Sequence, residues 1–322
     1  MNKDIELKDL TLEKGLSMNE ITEKLLEIVS DYKGDFKGAY NIREDGQCVG
    51  RVCSKNIQIK SKTDNPGLDI SVEPNTKGET VYIPACVTKA GVDDLVYNDF
   101  FIGENADVII VAGCGVHSDG HEEARHNGIH RFFQKEGSHV VYQEKHVGEG
   151  KGDGGKVIDP VTDIHLEKDS CLEMDTSQLG GVSRATRKST AKVAEGAKLI
   201  IRERILTEGD QRAETFFEAE LNGDGSGADI VSRSVARDQS YQNYVSTIIG
   251  NAACTGHTEC DAIIDADAIV DASPRLFARN PDASLIHEAA IGKIAGEQIL
   301  KLRTLGLTEE EAEAKIVEGF LS

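Results

Sequence analysis

Cys260, His287 and Glu288, near the C-terminal end of the chain, are the side chains best suited to holding a thiophilic metal. They bracket the segment CDAIIDADAIVDASPRLFARNPDASLIHE, in which apolar residues alternate with small and acidic ones up to Ile286. Thiolate, imidazole and carboxylate together suit iron and sulfur chemistry. From His287 through Glu288, Ala289 and Ala290 the pattern predicts a helix instead. A strand-borne thiol and a His-Glu pair at a strand-to-helix switch would then converge on one small site.

A second concentration of donors is GCGVHSDGHEEARHNGIH, which carries Cys114, His117, His121, His126 and His130. The spacings His117–His121 and His126–His130 would put each pair on one face of a helix. With Glu122 nearby they form a candidate iron or zinc site, and hence an alternative reading as a metal-dependent hydrolase. HSDGH lacks the Glu of HExxH, so no named zinc-protease pattern is present, and a polar excursion between strands with satisfied histidines fits better. Around Cys260, the residues His257, Glu259 and Asp261 supply polar neighbours, whereas Cys254 reads as a core thiol. Gly150 to Lys156 fits GxxxxGK, but Val157 stands where the phosphate loop needs Ser or Thr, and no helix follows. This chain is therefore expected to bind no nucleotide itself.

The elements that must position these residues are mostly strands. Residues 1–35 read as a helical region: Ser17 and Glu20 form a capping-box pattern ahead of Ile21, Leu25, Leu26, Ile28 and Val29. From 36 to 285, short alternating segments such as DVIIVAG, HVVYQEKHV, LIIRERILT and ETFFEAEL are punctuated by Gly, Asp and Asn. That texture predicts a sandwich, barrel or solenoid, with the small residues of GNAACTGHTEC and DADAIVDAS favouring stacked solenoid coils. Residues 286–322 read as a C-terminal helical region. Ile291, Ile294, Ile299, Leu300 and Leu302 share a face, Gly306 ends the first helix, and Thr308 with Glu311 caps a second. Its acidic outer side suits either a solvated cap or a docking face.

Bulk properties exclude several classes. The 322 residues carry a formal net charge of −20 and no basic cluster interleaved with aromatics, which argues against nucleic-acid binding. No apolar run approaches the ~18 residues needed to span a bilayer. The first residues, MNKDIELKDLTLEKG, lack the apolar core of a secretory signal, so the expected compartment is the cytoplasm. Seven cysteines without a CxxC point to reduced thiols, not to a zinc ribbon or a redox pair.

Several longer strings carry a family resemblance: GIHRFFQKEGSHVVYQEKHVGEG, LEMDTSQLGGVSRATR, VSRSVARDQS, GHTECDAIIDADAIVDASPRLFARNPDASLIHEAAIGKIAGEQILKL and LGLTEEEAEAKIVEGFL. From about residue 80 to the end the chain resembles the SufB/SufD family of iron–sulfur cluster assembly proteins. It departs from the usual B-type subunit in being shorter and in lacking the CxxCxxxC motif many carry near the N-terminus.

The resemblance implies a right-handed parallel β-helix flanked by helical regions and a scaffold role rather than turnover catalysis. It also implies a SufBCD-type complex in which a SufC-like ABC ATPase docks on the C-terminal helices. The essential thiolate of the family falls on Cys260, the carboxylate of its HEA motif on Glu288, and a histidine supplied by the D-type partner on His287. These three would hold the iron of a nascent, transient iron–sulfur cluster. With all three on one chain, a homodimer is expected, with a SufD-like paralogue as the other possible partner. A desulfurase would donate sulfur and apo iron–sulfur proteins would accept the cluster. A third reading, a purely structural β-solenoid adaptor, stands beside the assembly and hydrolase readings.

Overall fold

From Ala39 to Gly292 the chain lays down strand after strand in which successive residues point alternately inward and outward. The computed structural model describes residues 18–322. The strand Ala124–Gln134 shows the pattern in full, with every second side chain buried. Period-two alternation is what a strand needs when one face covers a core and the other meets solvent. Successive strands go to opposite walls: Asp107–His117 lies in one sheet, Ala124–Gln134 in the other, and His139–Glu149 returns to the first. The walls are an 11-stranded and a 10-stranded sheet, parallel except for two hairpin pairings in the N-terminal part. The result is the predicted β-solenoid, of about eight turns.

Beyond the first coil, equivalent residues on neighbouring turns lie 27 to 32 positions apart. The turn chemistry repeats with them. Asn105, Gly137, Asp169, Gly196 and Gly225 all adopt positive φ. Each of the first four is joined to the turn above by a bond from its N–H to a carbonyl just before the next member of the column. Asn, Asp and Gly are the residues that enter this conformation most readily. A backbone column of this kind fixes the pitch of the coil.

Inside, the early turns are filled with aliphatic side chains and an aromatic stack, Phe100 on Phe132 at 4.6 Å, with Tyr142 edge-on. The last turn differs. Along Ile269–Ala278 and Ser284–Gly292 even the inward residues are only partly covered, because no described turn stacks above them. Both strands terminate their sheets, so the solenoid ends in open edges.

The N-terminal helix spans Glu20–Ser30 and packs on the outside of Asp107–His117. Gly113 permits the approach: a Cβ there would lie 2.5 Å from that of Val29. The N-cap is Asn19, whose side chain accepts from the N–H of Thr22. Ser17, predicted for that role, lies outside the described residues. At the other end the prediction of helix from residue 286 is corrected. His287 and Glu288 belong to the strand Ser284–Gly292, and the first C-terminal helix begins at Gly296. That helix, Gly296–Thr304, pairs with Glu309–Phe320, which has the predicted capping box between Thr308 and Glu311. Among the described residues, no helix is long and apolar enough to cross a membrane.

Candidate functional site

Cys260 sits in the middle of the strand Thr255–Ile264, at an inward position, and is only 2% exposed. Its neighbours in the ladder are Ser232 on the turn below and Ala289 on the last turn above. Burial pushes its thiol up to about 12, and the carboxylates of Glu203 and Asp261 add to the effect. The polar residues beside it in sequence do not face it. His257, Glu259 and Asp261 have the opposite parity and point outward. In this state Cys260 is a protected thiol, not a thiolate.

His287 and Glu288 pair with Thr258 and Glu259 of the strand below. Thr258 is fully buried, so His287 points inward beside it, on the same face as Cys260 and two residues out of step with it. The Nδ1 atom of His287 is buried and has no hydrogen-bond partner. Glu288 points outward. The three predicted ligands are therefore divided by the sheet: Cys260 and His287 share the interior, and Glu288 lies outside.

Outside, Glu288 joins a different group. Its Oε2 is 3.5 Å from His257 Nε2, while Asp229 takes the other ring nitrogen at 2.7 Å. Donation of its Nδ1–H to Asp229 raises the affinity of His257 for a proton against the opposing effect of burial. Donor atoms of His257, Glu259 and Glu288 all lie within 4.8 Å of one another, an arrangement able to hold a cation. His257 and Glu259 line a cleft of about 510 Å³ on the outer face, together with Arg202, Arg233 and Ser322.

Below Cys260 the interior is unexpectedly polar. His130 Nδ1 meets the Tyr142 hydroxyl at 2.7 Å, and that hydroxyl donates to Glu144 at 2.8 Å. Arg187 bridges Glu144 at 2.7 Å and Glu203 at 3.3 Å. Thr215 and Ser232 donate to Glu203 at 3.1 and 2.8 Å. Since Ser232 is the ladder partner of Cys260, a chain of buried polar groups runs from His130 up to the thiol. Cys114 stands beside this chain with Glu144 and His146, all three buried and with donor atoms within 4.8 Å. Burial holds the Cys114 thiol well above its ordinary range. Sequence reasoning missed Glu144, His146, Arg187 and Glu203. The available signal was parity, because in HVVYQEKHV both Glu144 and His146 fall in step with the core residues Val140 and Tyr142.

The four histidines of the alternative hydrolase site do not converge. The segment is a strand, a loop and a second strand, not a helix. His117 pairs with Asp119 at 3.1 Å, and His121 lies exposed against Asp153. His126 is buried against Asp94 at 3.1 Å, and His130 against Tyr142. Glu122 is exposed in the loop. His126 and His130 do share a face, through strand parity rather than a helical turn. The Gly150 to Lys156 segment is a loop as expected, with Lys156 Nζ donating to the Gly152 carbonyl.

Comparison with known sequences matches residues 97–320 to the family described as SUF system FeS cluster assembly, SufBD core domain. The chain is 31% identical over 261 residues to an iron-sulfur cluster assembly SufBD family protein of Archaeoglobus fulgidus, covering 80% of this chain and 69% of the relative. A SufBD family protein of Methanothermobacter thermautotrophicus (strain Delta H) is 29% identical over 229 residues, 70% of this chain and 55% of the relative. A homolog from the Winter strain is 28% identical over 249 residues, 76% and 60% respectively. The matched part thus spans little more than half the length of these two relatives.

Proposed function

The chain belongs to the SufBD family of the SUF system for iron–sulfur cluster assembly, and from that premise we propose that it is a scaffold subunit on which nascent clusters are built before transfer. The observation that supports this reading is the placement of Cys260 and His287. They share the interior of the solenoid on its last turns, where the buried Nδ1 of His287 has no hydrogen-bond partner.

A second copy of the chain, or a D-type paralogue, would meet this end through its unpaired edge strands. Such a pairing brings two sets of Cys260, His287 and Glu288 to one interface. The ligands would then be drawn from two chains, since within one chain the sheet separates Glu288 from Cys260. Sulfur would arrive as a persulfide from a desulfurase and iron would be held by thiolate, imidazole and carboxylate, the cluster being cargo rather than a resident cofactor.

The raised proton affinity of Cys260 gives the protein a reason to need a moving partner. A buried thiol becomes a ligand only when metal replaces its proton or when the site opens. An ABC-type ATPase docked on the helical hairpin Gly296–Phe320 would supply that opening by binding the open state more tightly. The hairpin suits a docking role: the first helix buries none of its residues, and Leu300 and Leu305 are 62% and 79% exposed.

The test is anaerobic reconstitution with ferrous iron and a sulfide source, followed by transfer to an apo-acceptor. Cys260→Ser is expected to lose both the cluster absorbance and the transfer. Equal absorbance and transfer in the variant would show that Cys260 is not the cluster thiol.

A further inference from the structure

We propose that the outer face of the middle turns carries a separate binding site for a zinc-type divalent cation, formed by His139, Cys171 and Glu173. The ladder brings these residues together. Asp107, His139 and Cys171 are direct partners on three consecutive turns, and Glu173, two residues beyond Cys171, shares its outward parity. Donor atoms of His139, Cys171 and Glu173 lie within 4.8 Å of one another. None of these residues belongs to the Cys260 region, which begins three turns further along, roughly 14 Å at the usual strand spacing.

Two features distinguish this group from an ordinary surface ion pair. The first is the donor set: one thiol, one imidazole and one carboxylate, half-buried and open to solvent, leaving a fourth position for water. The second is the state of the His139 ring, whose two nitrogens each lie 3.0 Å from a carboxylate oxygen, Nδ1 from Asp107 and Nε2 from Glu173. A neutral imidazole carries one N–H and can satisfy only one of them. With Nδ1–H donated to Asp107, the Nε2 lone pair meets the Glu173 carboxylate at 3.0 Å, acceptor against acceptor, beside the Cys171 thiol. A divalent cation resolves this contact. Asp107 then plays the outer carboxylate that orients a metal-bound histidine and strengthens it as a donor.

Charge also closes. The cation displaces the thiol proton of Cys171 to solvent, and the resulting thiolate with the Glu173 carboxylate balances two positive charges. Lys198, the ladder partner of Cys171 on the next turn, does not fill the site, because its Nζ donates to the Gly225 carbonyl at 2.7 Å.

Cobalt(II) titration of the reduced, metal-free full-length protein tests the proposal. The expected result is a thiolate-to-cobalt charge-transfer band and tetrahedral d–d bands saturating at one cobalt per chain, both bleached by zinc. Cys171→Ser should abolish the charge-transfer band while Cys260→Ser keeps it, which separates this site from the cluster site proposed above. Asp107→Asn should weaken binding by about 10–100-fold, with far-ultraviolet circular dichroism and thermal unfolding confirming that each variant is folded. Absence of stoichiometric binding by the unaltered protein would mean that His139 is an imidazolium bridging two carboxylates and nothing more. An undiminished charge-transfer band in Cys171→Ser would equally overturn the proposal.

Discussion

Cys260 and Glu288 occupy neighbouring turns of one parallel sheet but project from its opposite faces, the thiol into the solenoid and the carboxylate out to solvent. No rotamer change can bring them to one metal within a chain. The consequence is chemical as well as geometric, since the two groups have different access to reagents.

Thiol labelling should show this directly. At pH 8, a thiol pushed up to about 12 is ionised about one part in ten thousand. Cys260 is therefore expected to react with iodoacetamide roughly a thousandfold more slowly than an unperturbed cysteine, as read by mass spectrometry of digested samples. Denaturation should abolish the difference. If a cognate ATPase opens the site, its addition with ATP should speed labelling of Cys260 selectively.

The buried Arg187 should be structurally indispensable. It bridges Glu144 and Glu203 in a space that solvent does not reach. Arg187→Met removes the guanidinium shared by two buried carboxyl groups and is expected to destabilise the fold by about 3–5 kcal/mol, seen as a lowered midpoint in urea. A triple variant that also replaces both glutamates with Gln should recover most of the loss.

Stability should fall in mild acid through His130. Burial lowers its proton affinity, to about 4, despite the opposing field of Glu144. Between pH 6.5 and 4 the unfolded chain therefore binds a proton that the folded chain refuses. Stability is full above the unfolded value near 6.5 and declines as pH drops towards 4, by roughly 3 kcal/mol for this group. Urea titrations across that range should show the decline, and His130→Gln should flatten its slope.

Leu300→Glu separates docking from folding. The side chain is exposed in a helix with no buried residue, so thermal stability should shift by no more than about 0.5 kcal/mol. Co-purification with an ABC-type ATPase should nevertheless be lost. Retained capture would place the docking surface elsewhere.

The solenoid was legible because alternation and turn residues are local signals. Asn105, Gly137 and Asp169 mark turns in sequence as plainly as in space. The strand carrying His287 was not. Glu288, Ala289 and Ala290 favour helix intrinsically, and only the ladder to Thr255–Ile264 makes the segment extended. Cys260 was placed on a strand, but its sequence neighbours suggested polar surroundings; strand parity turns those outward and leaves the thiol buried. Finding Glu144 and His146 inside required knowing which parity faces the core. The clustering of His139 with Cys171 was beyond local reading altogether, since it depends on a coil length of 32 residues.

The open last turn has a consequence for how the molecule comes apart. In a linear stack each coil is held only by its neighbours, so opening begins at the ends and each successive coil costs more to release. The interior residues of Ile269–Ala278 and Ser284–Gly292 are half-covered. Their amides should exchange with solvent long before those of Ala124–Gln134. His287 rides on this fraying edge, one coil above Cys260. An open edge of this kind loosens before the rest of the coil, and anything stacked on it would quench the fraying.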